Sequence, residues 1–125
     1  MIAMSFACSQ TDPATEPAGV ARLWRATLMP GRGNDYDLFA SEVSLPMFRS
    51  HGGYRGVTMM RNEEECCVVT YWSDMEAVQQ LEMSSRYAAT VEAIKAASVL
   101  REFGETVIMA THLTDFEEPG IVCGL

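Results

Sequence analysis

Alternating polarity begins at Val20. Across Val20 to Leu28, positions Val20, Trp24, Ala26 and Leu28 share one parity, with Arg22, Arg25 and Thr27 as polar interruptions, and this predicts a strand. Pro30-Gly31-Arg32-Gly33 reads as a turn. Asn34 follows as an expected N-cap, with Asp35 and Asp37 in the first helical turn. Tyr36, Phe39, Ala40, Val43 and Met47 then fall at helical spacing on one face. Pro46 is expected to kink or shorten the last turn, and Gly52-Gly53 to end it. Tyr54 to Arg61 and Glu65 to Trp72 are short runs rich in Val, Thr and aromatic residues. Joined by the polar loop Asn62-Glu63-Glu64, they predict a hairpin. Ser73-Asp74-Met75-Glu76 has the form of a capping box with Ser73 as N-cap. The helix it opens is expected to run to about Met83 and to break at Ser84-Ser85. A further helical stretch runs from Arg86 to about Leu100, with Tyr87, Val91 and Ile94 on one side and Gly104 closing it. Glu105 to Leu113 is the expected last strand.

The order β-α-β-β-α-β is the split arrangement of ferredoxin-like α+β domains, with a four-stranded antiparallel sheet. It occupies 20–114, between an arm over 1–19 rich in Thr, Ser, Pro and Ala and a tail over 115–125. Helices cover one face of such a sheet and leave the other bare. On the last strand both parities are largely apolar, with Val107, Met109 and Leu113 on one and Ile108 and Ala110 on the other. A second copy of the chain is the simplest cover for the bare face, which predicts a homodimer closed as an α+β barrel.

Composition narrows the partners. The 125-residue chain is 48% hydrophobic, enough for one core, and its net charge of −8 argues against nucleic acid and anionic membrane surfaces. No apolar run approaches the roughly 20 residues of a membrane helix. Of the four cysteines, Cys66 and Cys67 are adjacent in a strand and should point to opposite faces; Cys8 and Cys123 are distant. Reduced thiols in a cytoplasmic protein fit this spacing, and no Cys or His spacing suggests a metal. Nine methionines read as adaptable core filling.

Several segments together resemble the antibiotic biosynthesis monooxygenase family of dimeric α+β barrels. They are Leu23-Trp24-Arg25, Pro30-Gly31-Arg32 leading to Tyr36, Gly52-Gly53-Tyr54-Arg55-Gly56 and, above all, Thr70-Tyr71-Trp72-Ser73-Asp74-Met75-Glu76-Ala77. The resemblance spans Ala21 to Leu113. It implies the ferredoxin-like dimer and an activity drawn from cofactor-independent oxygenation of phenols and quinols or from haem degradation. The haem branch is implied to need a first-strand Asn, a strand-end Trp and an axial His on the second long helix. Here Trp24 takes the Asn position, Trp72 is kept, and no His lies between Asp74 and Gly104.

The candidate residues follow from that chemistry. Trp24 and Trp72, with Phe39 and Tyr87, could wall a flat apolar pocket for an aromatic guest; core packing is the competing role of each. His51 and His112, the two histidines, are candidate general bases because imidazole titrates near neutrality. Against this, His51 sits in a glycine loop and His112 near a strand end. Arg25 and Arg55 could hold a phenolate, or simply pair with acidic neighbours. Three functions stand open: a cofactor-free monooxygenase of a phenol or quinol, a small-molecule binding module without turnover, or a pocket filled by its own side chains.

Overall fold

The computed structural model describes residues 19–115. Gly19 and Asp115 apart, the expected arm and tail lie outside the described residues, as do Cys8 and Cys123. The elements run β1 (Val20–Leu28), α1 (Gly33–Phe39), a π-helical turn (Ala40–Ser44), α2 (Leu45–Arg49), β2 (Tyr54–Arg61), β3 (Glu65–Trp72), α3 (Met75–Met83), α4 (Ser85–Ala96) and β4 (Leu100–Ala110). The strands form one sheet in the order β2-β3-β1-β4, and every neighbouring pair is antiparallel. This is the ferredoxin-like α+β plan.

Local chemistry explains most of the element ends. The Asn62 side-chain oxygen accepts from the backbone N–H groups of Glu64 and Glu65, both at 2.7 Å, and closes the β2–β3 hairpin. α3 is capped by Asp74, whose Oδ1 accepts from the Ala77 N–H at 2.8 Å, one residue later than the Ser73 cap expected from the sequence. The Ser73 N–H instead donates to the Gly53 carbonyl at 2.8 Å. Ser84 caps α4 by accepting from the Tyr87 N–H at 2.9 Å.

Asn34 is not a cap either, because α1 already begins at Gly33. Arg32 precedes it without a side-chain cap. Its guanidinium reaches Asp35 in the first turn at 2.7 Å and donates to the Ala97 and Ser98 carbonyls at 3.1 and 3.2 Å, tying the start of one helix to the end of another. Pro46 does not break its helix. The turn before it widens to a π form in which the Leu45 N–H donates to the Ala40 carbonyl, and α2 continues to Arg49.

Gly104 closes no helix. α4 ends by Ala97, Ser98 takes a left-handed φ of 58°, and β4 starts at Leu100, five residues before the expected Glu105. Gly104 lies inside that strand where the pairing with β1 shifts register between Trp24 and Ala26. A Cβ there would stand 2.5 Å from the Arg25 carbonyl oxygen, so the bulge requires glycine.

The register separates the two sheet faces. Arg22, Trp24, Ala26 and Leu28 of β1 share the helix side with Cys66, Val68, Thr70 and Trp72 of β3. Two buried clusters sit there, one around Ala26, Tyr36, Cys66 and Ile94, the other around Met47, Phe48, Trp72 and Leu81. Trp24 and Met59 pack against both. On the opposite face Leu23 pairs with Val69 and Val107, and Ala21 with Tyr71 and Met109. Met60 and Met109 stand 49% and 59% exposed there. Cys66 and Cys67 take opposite faces, with free thiols. No helix among the described residues is long and apolar enough to cross a membrane.

Candidate active site

Between the two helical layers and the sheet lies a cavity of about 50 Å³. β1 supplies Arg22 and Trp24, alternate residues of the inward parity. The α1 helix and its π turn supply Tyr36, Phe39, Ala40 and Ser44, so the widened turn itself forms part of the wall. Tyr87, Thr90, Val91 and Ile94 face in from α4, and Phe103 from β4. Trp24 and Phe103 meet edge to face, with centroids 6.0 Å apart at 77°. Phe103 is 40% exposed and carries the Lys95 ammonium 5.4 Å above its ring, which puts an aromatic edge at the solvent boundary.

The one buried charge on this wall is Arg22, at 4% exposure. Its Nε donates to Glu82 Oε2 at 2.8 Å and its Nη2 donates to the Tyr87 hydroxyl at 2.7 Å. The guanidinium also lies 5.1 Å from the centroid of the Tyr87 ring. A guanidinium buried this deeply is held by both partners, because an uncompensated charge in an apolar wall costs several kcal/mol. Sequence reasoning missed Arg22. The available signal was its parity: it stands two residues before Trp24 and therefore points the same way.

The eight residues singled out by sequence part into two groups. Trp24, Phe39 and Tyr87 line the cavity together. Trp72 does not. It is 0% exposed, it packs edge to face on Phe48 and Tyr54, and its N–H donates to the Thr70 hydroxyl at 2.7 Å. With its polar atom satisfied inside the core, it leaves no face for a guest. His51 is also outside. Its Nδ1 lies 2.9 Å from the Met47 carbonyl, an acceptor, so Nδ1 carries the proton; Nε2 lies 2.8 Å from Ser84 Oγ, the α4 cap. Both ring nitrogens are thus committed to joining α2 to α4. His112 is exposed beyond the end of β4. Arg25 points to the open sheet face and pairs with Glu65 at 3.3 Å, and Arg55 is exposed on β2; neither lines the cavity.

Two further titratable groups lie here, Tyr36 in the cavity wall and Cys66 in the core behind it. Tyr36 is 3% exposed, and burial, then the neighbouring Cys66 thiol, push its phenol far above the usual tyrosine range. Burial likewise pushes the Cys66 thiol up. Both stay protonated at neutral pH and supply neither a base nor a thiolate. Among the described lining residues there is no His, Asp or Glu. The described residues also contain no cluster of three or more His, Cys, Asp or Glu that could hold a metal. The wall is therefore mainly apolar and aromatic, with Arg22, paired to Glu82, as its one charged side chain and Ser44 and Thr90 as its small polar ones.

No family model matches the chain, and no curated protein matches it. Solved structures do. SnoaB, a cofactor-independent oxygenase from Streptomyces nogalater, is 15% identical, with a TM-score of 0.59 over 83% of this chain and 99% of that one. A protein from Caulobacter crescentus assigned to the antibiotic biosynthesis monooxygenases is 12% identical, with a TM-score of 0.60 over 79% and 92%. A Nitrosomonas europaea protein of unknown function is 18% identical, with a TM-score of 0.61 over 84% and 98%. The chain shares the fold of the antibiotic biosynthesis monooxygenases. At these identities the likeness is one of fold, and the chemistry has to be argued from the cavity.

Proposed function

We propose that the chain is a cofactor-independent monooxygenase of a phenol- or quinol-type aromatic molecule. The observation that carries this reading is a buried guanidinium, Arg22, set in a cavity whose other walls are mainly aromatic and aliphatic, with Ser44 and Thr90 the exceptions. An aromatic substrate bound against Trp24 and Phe39 would place its oxygen at Arg22. A charge-assisted hydrogen bond in an apolar site favours the ionised form of that oxygen. The proton leaves to water at the mouth beside Phe103. The resulting electron-rich anion reduces dioxygen by one electron, and the radical pair joins to a peroxide anion that takes a proton back from water. Loss of water from the peroxide then gives a quinone. One oxygen atom of O₂ enters the product, the other leaves as water, and the substrate supplies the electrons. The protein contributes positioning and a preorganised cation rather than a proton acceptor. The fold shared with SnoaB adds support.

The functional unit in this reading is a homodimer in which the open sheet face, with Leu23, Val69, Val107 and Met109, packs on its counterpart. Sedimentation at micromolar concentration should give twice the 13.8 kDa chain mass; a monomer would remove this part of the reading. A second reading, binding without turnover, is favoured by the absence of any His or carboxylate among the described lining residues. Oxygen uptake separates the two. Purified, chelator-treated protein offered quinols, naphthols and anthrones should consume oxygen above the buffer rate with at least one of them. Binding without uptake across the panel would favour the second reading.

A further inference from the structure

The cavity at Arg22 is too small for the guest its walls suit. An apolar cavity of ~150 Å³ is what benzene needs, and ~10–15 Å³ is enough for one water. At about 50 Å³ this cavity holds a few waters and no ring. A second and larger hollow, about 220 Å³, lies between α1 with its π turn and the edge strand β2. Its walls include Val57, Met60, Leu45 and the ion pair in which Arg61 grips both carboxylate oxygens of Asp37 at 2.7 and 2.8 Å. Tyr36, Ala40 and Met59 line both spaces.

These three residues form the partition, and they differ in how far they can give way. Tyr36 is buried and in contact with Cys66. Ala40 has no rotatable side chain and sits in the helical backbone. Met59 is half-buried, packs against both core clusters and has a flexible unbranched thioether. We infer that the edge groove and the Arg22 cavity are two lobes of one binding site, parted by the Met59 side chain, and that Met59 sets how many rings a ligand can carry. A multi-ring hydroxyaromatic anion anchored at Arg22 displaces Met59 and extends its outer rings into the groove. The Asp37–Arg61 pair, next to Tyr36 in sequence on one side and two residues from Met59 on the other, ties α1 to β2 beside the partition. The groove opens on the helix side of β2. Of its lining, Met60 pairs with Cys67 and lies on the opposite sheet face, so at the β2 edge the groove borders the face assigned to dimerisation.

The inference rests on the cavity being an aromatic-anion site, and the test separates the two. Phenol and anthrone are titrated anaerobically against the full chain, with quenching of tryptophan emission as the signal and stopped-flow for association. Met59→Ala is expected to speed anthrone association at least about fivefold and phenol, which needs less of the partition moved, by clearly less. Met59→Phe, stiff and bulkier, is expected to weaken anthrone by about tenfold and phenol by less. Met59→Leu, near the native volume, guards against misfolding of the Phe variant and should slow anthrone entry more than phenol entry. Equal effects on both probes, or none, would overturn the partition while leaving the cavity reading intact. Wild-type protein that binds neither probe would overturn both.

Discussion

Replacing Arg22 by Met separates a ligand-binding role from a structural one. The Arg22 side chain is 5% exposed and donates two charge-assisted hydrogen bonds, at 2.8 and 2.7 Å. Each such bond contributes about 1.5–3 kcal/mol net. Against that stands the cost of desolvating a guanidinium, several kcal/mol, which the substitution removes. Glu82 is 37% exposed and rehydrates when its partner is lost, and the Tyr87 ring packs as well on a thioether as on a guanidinium. The opposing effects nearly cancel. Arg22→Met should change unfolding free energy by no more than about 2 kcal/mol, read from urea unfolding. A bound phenolate has no such compensation. It loses a charge-assisted bond in a water-poor wall, about 1.5–3 kcal/mol, or roughly 10- to 150-fold in Kd. Titration of naphtholate with wild-type and variant protein, at equal folded fraction, measures that ratio. A Kd within a factor of two of wild type would refute the placement of the oxyanion at Arg22. Loss of more than about 4 kcal/mol of stability with unchanged affinity would make the residue purely structural.

Other consequences follow from the same geometry. Trp72→Ala should cost about 3–5 kcal/mol because the ring is wholly buried, whereas Trp24→Ala, a half-buried ring packed on both clusters, should cost less and also weaken ligand binding; urea unfolding and titration together distinguish them. Asp74→Ala should lower stability by about 1 kcal/mol through loss of the α3 cap, with ligand affinity unchanged. Tyr36 and Cys66 hold their protons more tightly folded than unfolded, so their contribution is complete below the unfolded values, roughly 8.5 for Cys and 10 for Tyr, and is lost as pH rises beyond them. The urea midpoint should therefore fall between about pH 8 and pH 11. Tyr36→Phe should fall less steeply over that range, and an unchanged slope would contradict the assignment.

The sequence made the framework readable because its periodicities and turn chemistry agree. Tyr54 to Arg61 and Glu65 to Trp72 form strands with the expected ends, since β-branched and aromatic runs flank an Asn that closes the turn through its own side chain. Where two local signals competed, the structure chose by tertiary contact. Gly104 looked like a helix terminator because glycine commonly ends helices; it serves a close strand approach to Arg25 that only long-range pairing reveals. Ser73 and Asp74 are both good caps, and the bond from Ser73 N–H to Gly53 settles which one caps. The cavity was half legible. Trp24, Phe39 and Tyr87 face into it, as aromatic residues on the inward parities should. Arg22 was passed over because a charge on a core parity reads as an interruption, and its partners Glu82 and Tyr87 lie 60 and 65 residues away. Trp72 was placed at the pocket by its strand-end position, which fixes its face but not the packing of Phe48 and Tyr54 around it.

The most direct test of the account is mass spectrometry of the product formed from anthrone under isotope-labelled dioxygen by chelator-treated protein. Incorporation of one labelled oxygen atom, at a rate that falls at least about tenfold in folded Arg22→Met, is the predicted result. Label derived from water, or a labelled product formed equally fast by the variant or without protein, would contradict it.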